Sequence, residues 1–116
     1  MNANQRLGRY GESIAAGFLL KQGYHIIKRN FRCRSGEIDI IAIKGGTLVF
    51  CEVKTRKGDC FGRPATAVTK EKISHIEKSA CWFMASGSWV NYQPRIDVVE
   101  VLIKPEIEIN HMIGVT

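Results

Sequence analysis

Polar and apolar residues alternate through the middle of the chain with the period of a β-strand. Residues 35–56 contain two β-rich runs, and the dipeptide Gly45-Gly46 separates them. A Gly-Gly pair readily adopts the positive φ angles of a two-residue hairpin turn. The pattern therefore predicts a hairpin in which Lys44 faces Thr47 and each step outward pairs the next two residues.

This register brings four charged side chains to one face of the hairpin. Asp39 lies opposite Glu52, and Glu37 lies opposite Lys54, because side chains alternate faces with period two. Opposed carboxylates have Cβ atoms about 4.5–5.5 Å apart and repel each other, which favours a divalent metal between them. Solvent-exposed cross-strand pairs are the alternative. The other face is apolar and is expected in the core: Ile38, Ile40, Ala42, Val49, Cys51 and Val53.

Apolar residues at the 3.6-residue period predict two helices, over residues 4–22 and from the N-cap Thr69 to about residue 85. Glu12 lies at the border of the first apolar stripe, among small residues. It is therefore either a surface carboxylate or one aimed at the opposed pair on the hairpin. The expected core positions are Leu7, Tyr10, Ile14 and Phe18 in the first helix, and Ile73, Ile76, Ala80 and Phe83 in the second.

Further strands are expected over residues 24–33, 95–103 and 106–111. The element order is then α-β-β-β-α-β-β, which predicts an α/β fold with a mixed central sheet flanked by helices. The 116 residues contain no repeat or linker, so we expect one domain over residues 1–116.

The net charge of +6 is unevenly distributed along the chain. Residues 1–58 contain eleven Lys or Arg against four Asp or Glu, whereas residues 59–116 contain six against seven. Basic charge around an acidic site suits a polyanionic substrate, although a solvated basic surface would have the same composition. The candidate phosphate contacts are Arg29, Arg32, Arg34, Arg56, Lys57 and Arg63.

Two other classes of protein are disfavoured by the sequence. No apolar stretch is long enough to span a bilayer, and the first residues contain no signal-peptide core. We therefore expect a cytoplasmic protein without a membrane partner. The four cysteines form no CxxC pair, which argues against a zinc site and favours reduced thiols.

Asp39 followed by Glu52-Val53-Lys54 fits Asp-x(n)-Glu-x-Lys, the core motif of the PD-(D/E)xK nucleases. The two carboxylates and the Val53 carbonyl could hold one or two Mg²⁺ (or Mn²⁺) ions, which take oxygen ligands. Such a metal lowers the pKa of an attacking water. Lys54 would then position that water or stabilise the developing negative charge.

Longer motifs resemble those of the YraN-like bacterial proteins, a family usually described as predicted endonucleases. The resemblance extends over nearly the whole chain and implies a restriction-endonuclease-like fold, similar to archaeal Holliday junction resolvases. It also implies that Glu12 is a catalytic residue together with Asp39, Glu52 and Lys54. The usual Pro before the motif Asp is replaced by Ile38. The matching segments are Gly8-x-x-Gly11-Glu12, Gly23-Tyr24, Gly36-Glu37-Ile38-Asp39-Ile40-Ile41-Ala42, Phe50-Cys51-Glu52-Val53-Lys54-Thr55-Arg56, Phe61-Gly62-x-Pro64 and Asp97-Val98-Val99.

These observations favour a Mg²⁺-dependent endonuclease that hydrolyses DNA phosphodiester bonds, with branched or damaged DNA as the expected substrate. The chain has no room for a separate sequence-recognition domain, which disfavours a site-specific restriction enzyme. Two alternatives remain: a non-catalytic nucleic-acid-binding module, and an interaction protein of a DNA repair or uptake assembly. The expected partner is nucleic acid, DNA in particular, and a homodimer stays open.

Overall fold

In the computed structural model, the described residues are 1–57, 68–103 and 105–116. They form helices and strands in the order α-β-β-β-α-β-β. The element bounds agree with the sequence-based expectation to within two residues, and the predicted α/β class with a mixed sheet is confirmed. The elements are α1 (Ala3–Lys21), β1 (His25–Cys33), β2 (Gly36–Lys44), β3 (Thr47–Arg56), α2 (Lys70–Ala85), β4 (Gln93–Leu102) and β5 (Glu108–Met112).

The five strands lie in the sheet in the same order as in the chain. Among the strands of the described residues, only β3 and β4 pair in parallel, and α2 lies between them in the chain, as a parallel pair requires. Strands β3 and β4 are buried over most of their length because a helix covers each face of the sheet. One core cluster contains residues of α1, and the other contains residues of α2.

The hairpin formed by β2 and β3 turns at the two adjacent glycines, as predicted. Gly45 has a φ of 59°, and Lys44 pairs with Thr47. The expected register continues outward as far as the pair Ile40 and Cys51, where the backbone ladder ends.

Helix α1 lies close to the sheet because small residues line the contact, together with the fully buried Leu19. The prediction that Tyr10 belongs to the core is wrong, because 51% of its surface is exposed. A Cβ added to Gly11 would overlap the side chain of Thr55 on β3, so only glycine permits this close approach. Ile14 and Phe18 pack at the margin of the core. The fully buried residues of α1 are Gly11, Ala15, Ala16 and Leu19.

Helix α2 begins and packs as the sequence predicts. Thr69 is its N-cap, and the Thr69 hydroxyl accepts a hydrogen bond from the backbone N–H of Lys72 at 3.1 Å. Ile76 and Ala80 are buried against the sheet, and Phe83 packs partly against the same cluster. Neither of the two helices described here is long and apolar enough to cross a membrane.

Asp97 anchors the far edge of the sheet on the side that α1 covers. Its carboxylate accepts hydrogen bonds from Arg95 (2.9 Å to each oxygen), from His111 Nε2 (2.7 Å) and from the Gly114 N–H (3.0 Å). Burial acts to raise the pKa of Asp97, but these donors outweigh it and hold the pKa below its usual value. The network therefore ties β4 to β5 and to the segment after it.

The face alternation of β2 breaks at Asp39. Ile40 and Ala42 lie in the core cluster of α1, as expected, but Ile38 lies in the cluster of α2. In a regular strand, residues 38 and 40 would share one face. The prediction of one common apolar face is therefore wrong at Ile38, and Glu37 turns toward α1.

The close contact between α1 and β3 predicts opposite effects for two glycine substitutions. Gly11→Ala should destabilise the fold by about 2 kcal/mol or more, because the methyl group overlaps Thr55. Gly17→Ala is the matched control, since a Cβ there meets no atom within 4 Å. It should be stabilising by about 0.5–1 kcal/mol through helix propensity. Urea denaturation of both variants measures the difference, and equal effects would contradict the packing described.

Candidate active site

Asp39 extends the pairing of β2 with β3 through its side chain, at the point where the backbone pairing of the two strands ends. The last backbone pair joins Ile40 and Cys51, and the next hydrogen bond runs from the Val53 N–H to Asp39 Oδ2 at 2.8 Å. The carboxylate thus takes the place of a backbone carbonyl as the acceptor on β2. This bond fixes Asp39 directly beside the strand that carries Glu52.

Glu52 is a buried carboxylate held between two lysines. Only 5% of its surface is exposed, and its Oε2 lies 3.7 Å from Lys54 Nζ and 3.7 Å from Lys72 Nζ. Lys54 shares the face of Glu52 because the two residues are two positions apart on β3. Lys72 reaches the same oxygen from the first turn of α2.

The two carboxylates are crowded enough to change their proton affinity. Burial and then the charge of Asp39 raise the pKa of Glu52 to about 7, although Lys72 and Lys54 oppose the shift. Burial also raises the pKa of Asp39, against the hydrogen bond from Val53. The site therefore binds a proton more readily than isolated carboxylates would.

Glu12 approaches the site from α1. Burial raises its pKa, and the charges of Asp39 and Glu37 raise it further. Glu12 lines a cavity of about 460 Å³ whose wall also contains Asn30 and Arg32. The structure therefore brings the carboxylate implied by the family resemblance within electrostatic reach of Asp39.

Glu37 and Lys54 do not form the expected cross-strand pair. Glu37 lies on the side of α1 and pairs with Arg32 at 3.6 Å, whereas Lys54 pairs with Glu52. The prediction that all four charged residues share one face is wrong for Glu37, because the alternation of β2 breaks at Asp39.

The candidate phosphate contacts differ in their availability. Arg29, Arg32, Arg34 and Lys57 are exposed, and Arg32 also pairs with Glu37. Arg56 Nε lies 2.9 Å from the buried carboxylate of Glu100, and Arg63 lies outside the described residues.

Lys72 is a residue of the site that the sequence did not predict. One signal was available. A lysine in the first turn of a helix opposes the helix macrodipole, so its position there suggests an interaction elsewhere. The acidic partner is Glu52 on β3, which is 20 residues away in the chain.

A family model described as "Uncharacterised protein family UPF0102" matches residues 11–101, which include Glu12, Asp39, Glu52 and Lys54. The chain belongs to this family. The match confirms the resemblance to the YraN-like proteins.

Several UPF0102 proteins are similar to this one over most of their length. A UPF0102 protein of Caldicellulosiruptor bescii is 52% identical over 104 residues, which are 89% of this chain and 87% of the relative. One from Syntrophus aciditrophicus is 45% identical over 106 residues, covering 91% and 84% of the two chains. One from Caldanaerobacter subterraneus subsp. tengcongensis is 44% identical over 112 residues, covering 93% and 92%.

Mg²⁺ binds oxygen ligands, and the candidate site offers carboxylate and carbonyl oxygens. Within residues 1–57, 68–103 and 105–116, no three Asp, Glu, His or Cys side chains converge to form a metal centre. Mg²⁺ is usually bound by one or two carboxylates and keeps several waters, so Asp39 and Glu52 with the Val53 carbonyl are a sufficient set. Burial and then the charge of Asp39 raise the pKa of Glu52, and a cation bound there would offset both effects. The donor set therefore fits.

The pKa of Glu52 predicts a pH-dependent effect of Glu52→Gln in metal-free buffer. Because the folded pKa of about 7 lies above the ordinary 4.5, the folded state binds more protons than the unfolded state between these values. Wild-type stability should therefore fall as the pH rises through this range. Glutamine cannot ionise, so the variant should exceed the wild type by on the order of 2–3 kcal/mol at about pH 8 and match it near pH 4.

Chemical denaturation at the two pH values measures this difference. Glu106→Gln is the control, because Glu106 is exposed, and it should change stability equally at both pH values. A Glu52→Gln variant that is less stable than the wild type at the higher pH would contradict the description of a repulsive site.

Proposed function

We propose that this protein is a metal-dependent nuclease that hydrolyses phosphodiester bonds in DNA. The supporting observation is that Asp39 and the Glu52/Lys54 pair meet at the end of the β2–β3 ladder, with the pKa of Glu52 raised to about 7. Two such carboxylates stabilise a divalent cation, and an adjacent ammonium group stabilises negative charge that develops on a phosphate.

In the proposed reaction, Asp39, Glu52 and the Val53 carbonyl would hold Mg²⁺ or Mn²⁺. The metal would supply Lewis-acid activation of the phosphodiester and of the attacking water. Lys54 lies close enough to Glu52 to orient that water or to stabilise the charge of the pentacovalent phosphorus. Glu12, coupled to Asp39 from the other side, would act as a further carboxylate of the site.

Charge near the site supports a polyanionic substrate. Arg29, Arg34 and Lys57 are exposed and follow or precede the strands that carry the carboxylates. Contacts of this kind bind phosphates without reading base sequence. We accordingly assign branched or damaged DNA, which is recognised by its shape, as the substrate class within this proposal.

A nucleic-acid-binding module without catalysis is the second candidate function. The observation that favours it is the pairing of Glu52 with both Lys54 and Lys72, since two ammonium groups can neutralise the carboxylates without any metal. Such a module would bind DNA, but neither its stability nor its binding would depend on divalent cations.

Divalent metal separates the two candidates. Mn²⁺ or Mg²⁺ should raise the melting temperature of the wild type, because a ligand bound only by the folded state stabilises it. Asp39→Asn should abolish this increase. Lys54→Ala should retain most of it and yet lose cleavage, since Lys54 acts on the water and the transition state. Lys78→Ala, at an exposed position of α2, is the control and should retain both properties.

The measurements are thermal unfolding with and without metal, and cleavage of labelled linear, nicked, flapped and four-way DNA. If the wild type and Asp39→Asn melt alike under all these conditions, the carboxylates are structural. If the metal effect is present but no DNA is cut, the metal site stands and the DNA substrate is wrong.

Salt dependence tests the proposed phosphate contacts. Affinity for duplex DNA should fall linearly on a plot of log K against log salt, with a slope of about −0.9 for each phosphate neutralised. The double variant Arg34→Gln/Lys57→Gln should reduce the magnitude of the slope by about 2. Lys21→Gln, in the last turn of α1, is the control and should leave it unchanged. Fluorescence anisotropy measures the slopes, and equal slopes would assign Arg34 and Lys57 to a solvated surface.

A further inference from the structure

Asn30 in the middle of β1 has a left-handed backbone. Its φ is 54°, and it is the one non-glycine residue with a positive φ in the described part of the chain. Asparagine tolerates this region better than most residues, but within a strand the conformation is costly, by roughly 1–2 kcal/mol. Such a feature persists only where the surrounding structure requires it.

The face alternation of β1 reverses at Asn30. Arg29 points to the side of α1, where its Nη2 lies 3.4 Å from Ser13 Oγ. Phe31 points to the side of α2, where its ring centroid lies 5.3 Å from that of Phe83. Residues 29 and 31 would share a face in a regular strand. The left-handed residue between them accounts for the reversal.

The neighbouring strand reverses at the position opposite. Arg29 pairs with Ile40, and Phe31 pairs with Ile38. The register is therefore the same before and after Asn30, which places Asn30 opposite Asp39. Ile38 and Ile40 also lie on opposite sides of the sheet. Both strands therefore reverse their face alternation at the same position and stay paired. A reversal in β2 alone would break this pairing.

This joint reversal has two consequences for the candidate active site. Asp39 leaves the regular pleat, and its carboxylate reaches the Val53 N–H on β3. Glu37 moves to the side of α1, near Glu12. With its amide oriented so that the NH₂ group faces these carboxylates, Asn30 Nδ2 lies 3.0 Å from Glu37 Oε2 and 3.1 Å from Glu12 Oε1.

We propose that Asn30 is a positioning residue of the active site. Its left-handed backbone reverses the face alternation of β1 and β2, so that the Asp39 carboxylate can accept a hydrogen bond from β3. Its amide group donates to both Glu12 and Glu37 and holds them together despite their like charges. Asn30 itself touches neither metal nor substrate. The assignment of a catalytic purpose rests on the proposed function, whereas the control of Asp39 by Asn30 is testable without it.

Hydrogen exchange of the Val53 amide reports the position of Asp39 directly, because Asp39 is the acceptor for that N–H. Asn30→Gly keeps the positive φ and should leave Val53 exchange within about threefold of the wild type. Asn30→Ala disfavours the positive φ and should accelerate it by about tenfold or more. The amide of Val99, in the buried part of β4, is the internal control for global unfolding, and rates are compared relative to it.

Asn30→Asp tests the role of the amide. Aspartate also tolerates a positive φ, but it replaces the donor to Glu12 and Glu37 with a third carboxylate. Its melting temperature should be lower than that of Asn30→Gly at low salt, and high salt should reduce this difference. Asn30→Gly should lack that salt-dependent recovery.

The outcomes separate this inference from the proposed function. If Asn30→Ala folds and Val53 exchanges as in the wild type, Asn30 does not position Asp39. If Asn30→Ala does not fold, the glycine variant decides, and fast Val53 exchange in Asn30→Gly would overturn the backbone role. Loss of the Mn²⁺-dependent rise in melting temperature in Asn30→Ala, with its retention in Asn30→Gly, would connect the positioning to metal binding. A wild type without any such rise would refute the nuclease proposal and leave the exchange result standing.

Discussion

The hydrogen bond from the Val53 N–H to the Asp39 carboxylate connects the fold to its candidate chemistry. It lies where the backbone ladder between β2 and β3 ends, so a side chain performs the pairing that a carbonyl performs elsewhere. Had β2 continued as a regular strand, Ile38 would lie in the core beside Ile40 and Glu37 would project away from α1. The break therefore determines which carboxylates meet.

Bringing carboxylates together costs free energy, and the structure offsets the cost only in part. Lys54 and Lys72 each lie 3.7 Å from the same oxygen of Glu52, yet burial and Asp39 still raise its pKa to about 7. An ammonium group at 3.7 Å is a weaker partner than a cation coordinated by both carboxylates. Under the proposed function, a bound metal would compensate the remaining negative charge, which is a physical reason for a fold to tolerate such a site.

The sequence predicted those features that depend on neighbouring residues. Gly45-Gly46 determined the hairpin and its register, and Thr69 marked the start of α2. The stripe predicted for α1 is confirmed at Ile14 and Phe18 but wrong at Tyr10, and periodicity does not show that the close approach to Thr55 requires glycine. The ion pair of Lys72 with Glu52 joins two different elements, and periodicity within one element does not predict such a contact. The reversal of face alternation in β1 and β2 depends on the left-handed backbone of Asn30, which a rule of strict alternation does not predict.

Asp97 and Glu52 are both buried carboxylates of the sheet, but their surroundings shift their pKa values in opposite directions. Asp97 is fully buried, but Arg95, His111 and Gly114 donate to its oxygens and hold its pKa below the usual value. Each of its interactions stabilises the ionised form, so the cluster gains little from a further cation. Glu52 is nearly as buried and has the opposite shift. A carboxylate with a raised pKa is one whose charge the protein leaves incompletely compensated, and such groups are enriched at functional sites, which supports the role proposed for Glu52.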